Sequence, residues 1–236
     1  MRQDNHVFPE LEYDTPVVVL GGGFVEIAEL QRLVAKGYPV VAADGAAHVA
    51  LAAGVPIAAI IGDMDSYVPV HNLPKETQIV HVPEQATTDF EKCLYRTKAP
   101  TYICLGMIGK RFDHSLAALH AAQKYGQTKK LILVDETDVI AVISGPVSFD
   151  VPVETRISVY PLSAIEMDYS KGLAYPLDGL CLAQGDVIST SNCAVEPNIE
   201  IVPHGDHAQP YLLILPNQFL DVLTEIEMSN VSAPRF

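Results

Sequence analysis

Short apolar runs recur along the first half of this chain, and helical patterns stand between most of them. The runs are Val17–Leu20, Val40–Ala43, Ile57–Ile61, Ile79–Val82, Tyr102–Leu105 and Leu131–Val134. A strand apolar at every position has no face for water and must be covered on both sides. Such strands alternating with helices specify a parallel sheet between two helical layers. A helix is expected from about Phe24 to Lys36, with Ile27, Leu30 and Val34 on one face and Gly37 as its stop. A shorter one spans Ala46–Ala53. Thr88-x-x-Glu91 is a capping box, so a helix should begin at Asp89 and reach about Arg96. Asp113 is placed to cap a further helix ending near Tyr125.

Beyond Asp138 the helical period disappears. Val139–Ile143, Val147–Val151, Arg156–Tyr160, Leu180–Leu182, Asn198–Val202 and Tyr211–Leu215 are short strand-like segments, separated by turn signals such as Asp178-Gly179. They read as an antiparallel β-sandwich, closed by an amphipathic pattern from about Asn217 to Met228. The expected architecture is a doubly wound parallel α/β domain over residues 1–143, then a β-sandwich domain over 144–236.

Composition narrows the function classes. Among 236 residues, 15 are basic and 29 acidic, a formal charge of −14. That balance argues against a non-specific nucleic-acid binder, which needs cations to displace counterions from phosphates. Any phosphate-bearing ligand has to be held by a few local cations or by metal. The longest uncharged stretch of the first third, Val49–Ile61, is broken by Gly54 and Pro56. It is shorter than the roughly 18–20 residues of a spanning helix, so no membrane association is expected. The polar start, MRQDNHVFPELEYD, shows no signal peptide. The four cysteines form no CxxC pair and read as buried free thiols of a reduced compartment, which points to the cytoplasm.

In a parallel sheet, ligands bind beyond the carboxyl ends of the strands, and the polar residues collect there. The strands run into Asp44-Gly45, into Gly62-Asp63-Met64-Asp65-Ser66, into Glu84-Gln85 with Asp89, and into Gly109-Lys110-Arg111-Phe112-Asp113-His114. One acidic loop would mean little, since Asp commonly caps helices and makes turns. Several on one sheet edge would repel one another, a conflict that a hard divalent cation such as Mg²⁺ resolves. Asp63-x-Asp65 is the best pair for it. Lys110 and Arg111 would meet phosphate oxygens that the metal leaves uncovered. The logic is that of phosphoryl transfer.

Other motifs are weaker. No G-x-x-x-x-G-K-[ST] occurs, and Gly21-Gly22-Gly23 lacks the last glycine of G-x-G-x-x-G, where Glu26 stands. That triplet is either a tight turn or a phosphate contact. His204-x-x-His207 in a loop is poor evidence for zinc.

Taken together, the motifs resemble one family. Ala43-Asp44-Gly45-Ala46-Ala47, Ile61-Gly62-Asp63-Met64-Asp65-Ser66, Gln85-x-x-Thr88-Asp89-Phe90-x-Lys92-Cys93-Leu94 and Gly109-Lys110-Arg111-Phe112-Asp113-His114 occur in the order seen in thiamin pyrophosphokinases. Ser170-Lys171-Gly172-Leu173-Ala174-Tyr175-Pro176-Leu177 and Gly185-Asp186-Val187-Ile188-Ser189-Thr190-Ser191-Asn192 also look like segments of that family.

The resemblance implies a homodimer that moves pyrophosphate from ATP to the hydroxyl of thiamin, releasing AMP. It implies a catalytic α/β domain, and a β-domain that binds thiamin and dimerises, with the thiamin site shared between subunits. By motif, Asp63, Asp65 and Asp89 would serve Mg²⁺. Asp44, Gly45, Asp65, Ser66, Lys110, Arg111 and Asp113 would meet ATP, with Arg111 also catalytic. Gln85, Asp89, Ser189, Ser191 and Asn192 would meet thiamin.

This sequence departs from the pattern in two places. Ala86 follows the glutamine where animal and yeast relatives commonly carry an acid, and the chain has no Trp to stack on the pyrimidine. Tyr211 or an aliphatic neighbour stands in that vicinity. Two other readings share these residues: a pyrophosphokinase for a different alcohol, such as a hydroxymethyl-pterin, and a non-catalytic nucleotide sensor of the same fold.

Overall fold

The computed structural model describes residues 11–66, 73–205 and 208–226, which fall into two compact units divided between Met107 and Ile108. The expected boundary at 143/144 falls at the end of a strand, Asp138–Ile143, and lies inside the second unit.

The first unit contains β1 (Leu11–Glu12), β2 (Val17–Leu20), β3 (Val40–Ala43), β4 (Ala59–Gly62), β5 (Gln78–His81), β6 (Thr97–Lys98) and β7 (Tyr102–Leu105). Its helices are α1 (Ile27–Ala35), α2 (Ala47–Ala52) and α3 (Asp89–Arg96). Five strands pair in parallel in the order β7-β2-β3-β4-β5, while β1 and β6 make a small parallel pair. β2, β4 and β7 are buried at every position, as their unbroken apolar runs require. β5 lies at the edge and is mostly exposed, so Ile79 remains 52% accessible.

The chain order reverses between β2 and β7, the switch point at which such sheets bind ligands. Gly21 and Gly106 touch there. A Cβ on Gly21 would stand 2.4 Å from the Gly106 oxygen, and the Gly23 amide donates to that oxygen at 2.8 Å. Close approach of two strand ends therefore accounts for Gly21.

Helix ends follow local chemistry. α1 starts three residues later than expected because Glu26 occupies the N-cap and accepts the Ala28 amide. α2 is preceded by a 3₁₀ turn over Asp44–Ala46. α3 starts at Asp89 through a complete capping box, Thr88 with Glu91, and packs on β3 and β4.

The second unit contains α4 (Phe112–Tyr125), β8 (Leu131–Val134), β9 (Asp138–Ile143), β10 (Val147–Asp150), β11 (Arg156–Pro161) and β12 (Ile165–Lys171). β13 (Cys181–Leu182), β14 (Ser189–Cys193), β15 (Asn198–Pro203), β16 (Tyr211–Pro216) and α5 (Leu220–Glu225) complete it. Two antiparallel sheets form, β8-β9-β16-β11-β14 and β10-β15-β12-β13. An α/β architecture with a parallel sheet followed by antiparallel sheets is what the periodicity predicts.

Several local expectations need correction. Asp113 does not cap α4. Arg111 holds the N-cap position without a side-chain cap, since a guanidinium has no acceptor for the helix amides, and Asp113 lies inside the first turn with its carboxylate on that guanidinium and the His114 amide. β12 and β14 were not anticipated as strands. Only Cys93 and Cys104 are buried; Cys181 is exposed on the edge strand β13, and Cys193 is half-buried. The terminal helix is shorter than expected, a 3₁₀ turn over Asn217–Phe219 and then α5, whose last carbonyls meet the Lys130 ammonium. The expected extension to Met228 lies outside the described residues. Among those residues no helix is long and apolar enough to cross a membrane.

Candidate active site

Asp44 and Asp63 leave the ends of the neighbouring strands β3 and β4. Two glycines allow the approach: a Cβ on Gly62 would lie 2.7 Å from the Asp44 Cβ, and one on Gly45 would lie 3.1 Å from the Ser66 oxygen. The chain then takes up strain. Asp44 has φ +43° and Met64 φ +64°, left-handed conformations that ordinary residues rarely adopt and that gather at functional sites.

The result is a triple of carboxylates. Asp44, Asp63 and Asp65 each offer an oxygen within 4.8 Å of the others. Asp44 is 2% exposed; its Oδ2 accepts the Ser66 amide at 3.0 Å, and its Oδ1 has no partner among the described residues. Burial raises the Asp44 pKa, with the charges of Asp89 and Asp63 adding to the rise. Asp63 goes the other way. Its Oδ2 accepts from Gln85 Nε2 at 2.6 Å, and that hydrogen bond, helped by Lys92, holds its pKa below the usual carboxylate range. An all-oxygen donor set containing one buried, unpartnered oxygen suits a hard divalent cation. Asp65 accepts from the Ser66 hydroxyl at 2.8 Å.

Asp89, expected beside Asp63 and Asp65, falls outside this triple. Its Oδ1 receives the Lys92 ammonium at 3.0 Å, and the same ammonium lies 3.6 Å from Asp63 Oδ2. The Lys92 side chain is 2% exposed. Burial alone would lower its pKa, yet the carboxylates around it raise it. Lys92 carried no assigned role in the sequence reading, although its i,i+3 spacing from Asp89 was a signal for this pair.

The Gln85 loop is fastened by Glu84. That carboxylate accepts from the Ala86 and Thr87 amides, the Thr87 hydroxyl and, at 2.8 Å, the Tyr95 hydroxyl. Burial opposes its charge, and these donors win, lowering its pKa.

In the second unit, Arg111 makes a two-pronged contact with Asp113, at 3.1 Å from Nε and 2.6 Å from Nη2. That contact lowers the Asp113 pKa. Both side chains are exposed, as is Lys110. Ser189, Thr190 and Asn192 line an open cleft with Tyr175, Leu177, Leu182 and Val187. Asn192 is buried, and its amide is spent on the Tyr175 backbone, accepting from N at 3.0 Å and donating to O at 2.7 Å. Ser191 has φ +56°, and its amide donates to the Ser158 hydroxyl.

Tyr211 is fully buried with its hydroxyl on the Gly145 oxygen, so it is a core residue and offers no ring to a ligand. Tyr175, 70% exposed, is the aromatic residue at the cleft. His204 pairs with Asp168 at 2.8 Å; its expected neighbours Asp206 and His207 lie outside the described residues.

Part of the chain is similar to known proteins. Residues 30–134 match the family described as thiamin pyrophosphokinase, catalytic domain. Thiamin pyrophosphokinase 1 of Caenorhabditis elegans is 31% identical over 148 residues, covering 56% of this chain and 60% of that protein. Thiamine pyrophosphokinase 1 of rice is 27% identical over 167 residues, covering 62% of each. The chain thus spans about three-fifths of the length of these curated relatives. Among solved structures, the thiamin pyrophosphokinase of Geobacillus thermodenitrificans superposes with a TM-score of 0.72 at 20% identity, covering 86% of this chain and 97% of that one. The yeast enzyme superposes at 0.68 and 16% identity, covering 96% and 94%. At those identities the likeness is one of fold. Residues 30–134 are thus similar to the catalytic domain of thiamin pyrophosphokinases.

Proposed function

We propose that the protein transfers the pyrophosphoryl group of ATP to the hydroxyl of thiamin, giving thiamin diphosphate and AMP. The observation that carries this reading is the carboxylate triple Asp44, Asp63 and Asp65, with its buried unpartnered oxygen, inside the segment that matches the family. These residues would hold Mg²⁺, with Asp89 beside them. When bound, the cation supplies charge neutralisation to the phosphate oxygens.

The chain's own groups do the rest. Gln85 keeps Asp63 ionised and aimed, as its 2.6 Å hydrogen bond and lowered pKa indicate. Lys110 and Arg111 are cations for the phosphates; Asp113 takes Nε and Nη2 of the guanidinium and so fixes its plane, leaving its other N–H groups for phosphate oxygens. In the transfer, the thiamin oxygen forms a bond to the β-phosphorus. The bond from that phosphorus to the bridging oxygen breaks, AMP departs with that oxygen, and the hydroxyl proton is lost to water. Ser189 and Ser191 would offer hydroxyls to the aminopyrimidine. The protein would act as a homodimer, and its buried thiols Cys93 and Cys104 suit a reducing compartment such as the cytoplasm.

Purified protein incubated with ATP, Mg²⁺ and thiamin should release AMP in step with thiamin diphosphate. ADP, or no thiamin-dependent product, would overturn the reading.

A further inference from the structure

We infer that Ser158 is a positioning residue: its buried hydroxyl holds a bulge in β14 that decides which side chains of that strand face the cleft beside Tyr175. β14 is an edge strand paired with β11, and its register slips by one residue. Cys193 and Asn192 stand opposite Arg156 and Ile157, and Ser189 stands opposite Val159. Thr190 and Ser191 are therefore left together opposite Ser158 alone, which defines a bulge.

Ser191 takes the kink, at φ +56°. Of the four non-glycine residues with left-handed backbone among those described, Ser191 alone lies inside a strand. Glycine takes such a place without strain, having no Cβ. The serine instead carries a side chain that is exposed and whose hydroxyl has no partner among the described residues. The extra residue of a bulge loses its ladder partner. Here the Ser158 hydroxyl supplies one, accepting the Ser191 amide at 3.0 Å. Ser158 is 4% exposed, between the fully buried Ile157 and Val159, so its hydroxyl is kept for that amide rather than for water. Asn192 fixes the strand from the other side, donating from Nδ2 to the Tyr175 oxygen at 2.7 Å and the Ser189 hydroxyl at 3.4 Å.

Without the bulge, Thr190 would stand opposite Val159. Side chains alternate along a strand, so Ser189 and Thr190, which line the cleft, would exchange faces. One buried hydroxyl thereby selects the groups that β14 offers to a ligand. The inference rests on the thiamin reading of the proposed function, and part of its test needs no ligand. Amide hydrogen exchange of the free protein, followed by nuclear magnetic resonance, reads the bulge; calorimetry reads thiamin and ATP binding. Ser158→Ala should speed exchange of the Ser191 amide about tenfold while the amides between β11 and β16 stay protected. It should weaken thiamin binding about tenfold with ATP affinity unchanged. Ser158→Thr, which keeps the hydroxyl on a residue that suits strands, should restore both.

A folded Ser158→Ala protein that binds thiamin as the unaltered one does would make Ser158 a merely structural serine and overturn the inference. Unchanged exchange at Ser191 would overturn it as well. Ser158→Cys carries the same expectations if Ser158→Ala does not fold, and failure of both to fold overturns it too. If the unaltered protein binds no thiamin, the proposed function falls, and the exchange data still decide whether Ser158 holds the bulge. Thiamin binding without AMP formation would count against the proposed reaction alone.

Discussion

Asp44 accepts the Ser66 amide through Oδ2 at 3.0 Å, across 22 residues of chain, while its buried Oδ1 has no partner among the described residues. That single contact ties the end of β3 to the loop after β4. It also leaves a buried oxygen that no hydrogen bond among the described residues satisfies. Both residues sit on strained or crowded backbone, with Asp44 at φ +43° and Ser66 against Gly45. Strain kept at a strand end, where ligands bind, is a cost in stability accepted for function.

Asp44→Asn should therefore separate stability from activity. Burial raises the Asp44 pKa. A group so shifted stabilises the fold below its unfolded value and loses that contribution as pH rises through its folded value. At neutral pH without metal, the ionised carboxylate is a burden, and the neutral amide, which tolerates left-handed backbone, removes it. In chelator the variant should melt a few degrees higher than the unaltered protein. Turnover should fall about 100-fold or more, as it should for Asp63→Asn and Asp65→Asn. Melts with and without Mg²⁺, beside an AMP assay, check both halves. Unchanged turnover would sink the assignment.

Gln85→Leu should move the acid limb of the pH profile. Gln85 is the main cause of the lowered Asp63 pKa, and Asp63 is 11% exposed, so solvent screens it little. A carboxylate with a lowered pKa stabilises the fold above its unfolded value, and that stability fades as pH falls through the folded value. Removing the donor brings the folded value back up. The acid limb of kcat/KM and the acid side of the melting profile should both shift to higher pH. A limb that stays in place would show that Asp63 does not set it.

The sequence carried the fold where local chemistry was decisive. The capping box placed the first residue of α3, and unbroken apolar runs placed β7 and β8. β12 escaped notice because Glu166 and Asp168 alternate with Ile165 and Met167 along a segment rich in polar residues. β14, Ser189–Cys193, has no apolar face to see. At the site, strand-end position made the aspartates legible. The burial of Lys92 was not, because a helical lysine ordinarily points to water and only tertiary packing reveals otherwise. Left-handed Asp44 was equally hidden, since nothing in an Asp-Gly pair says which of the two takes the strain.

Arg111→Ala should lower kcat far more than it raises the thiamin KM. The guanidinium matters most as negative charge develops on the phosphates, and loss of one such contact costs about 100-fold. Arg111→Lys should recover little, because the guanidinium donates to Asp113 from Nε and Nη2 and still has further N–H groups for a phosphate, a division an ammonium cannot imitate. Steady-state kinetics with each substrate varied in turn are the check. A normal kcat with a raised thiamin KM would move Arg111 to the acceptor.

If thiamin is the acceptor, Tyr175 is the exposed ring at the cleft that can stack on its pyrimidine, since the chain has no tryptophan and Tyr211 is buried. Its backbone is pinned on both sides by Asn192, at 3.0 and 2.7 Å, while its ring stands 70% exposed at the cleft lined by Leu177, Leu182 and Ser189. An aromatic contact is worth about 0.5–1.5 kcal/mol beyond area burial. Tyr175→Leu should then raise the thiamin KM about two- to twelvefold while leaving the ATP KM and the melting temperature unchanged. Asn192→Ala, which frees the backbone instead of the ring, should raise the thiamin KM and also lower the melting temperature. If Tyr175→Leu leaves the thiamin KM where it was, the exposed ring is a surface feature and the pyrimidine is held by groups other than Tyr175.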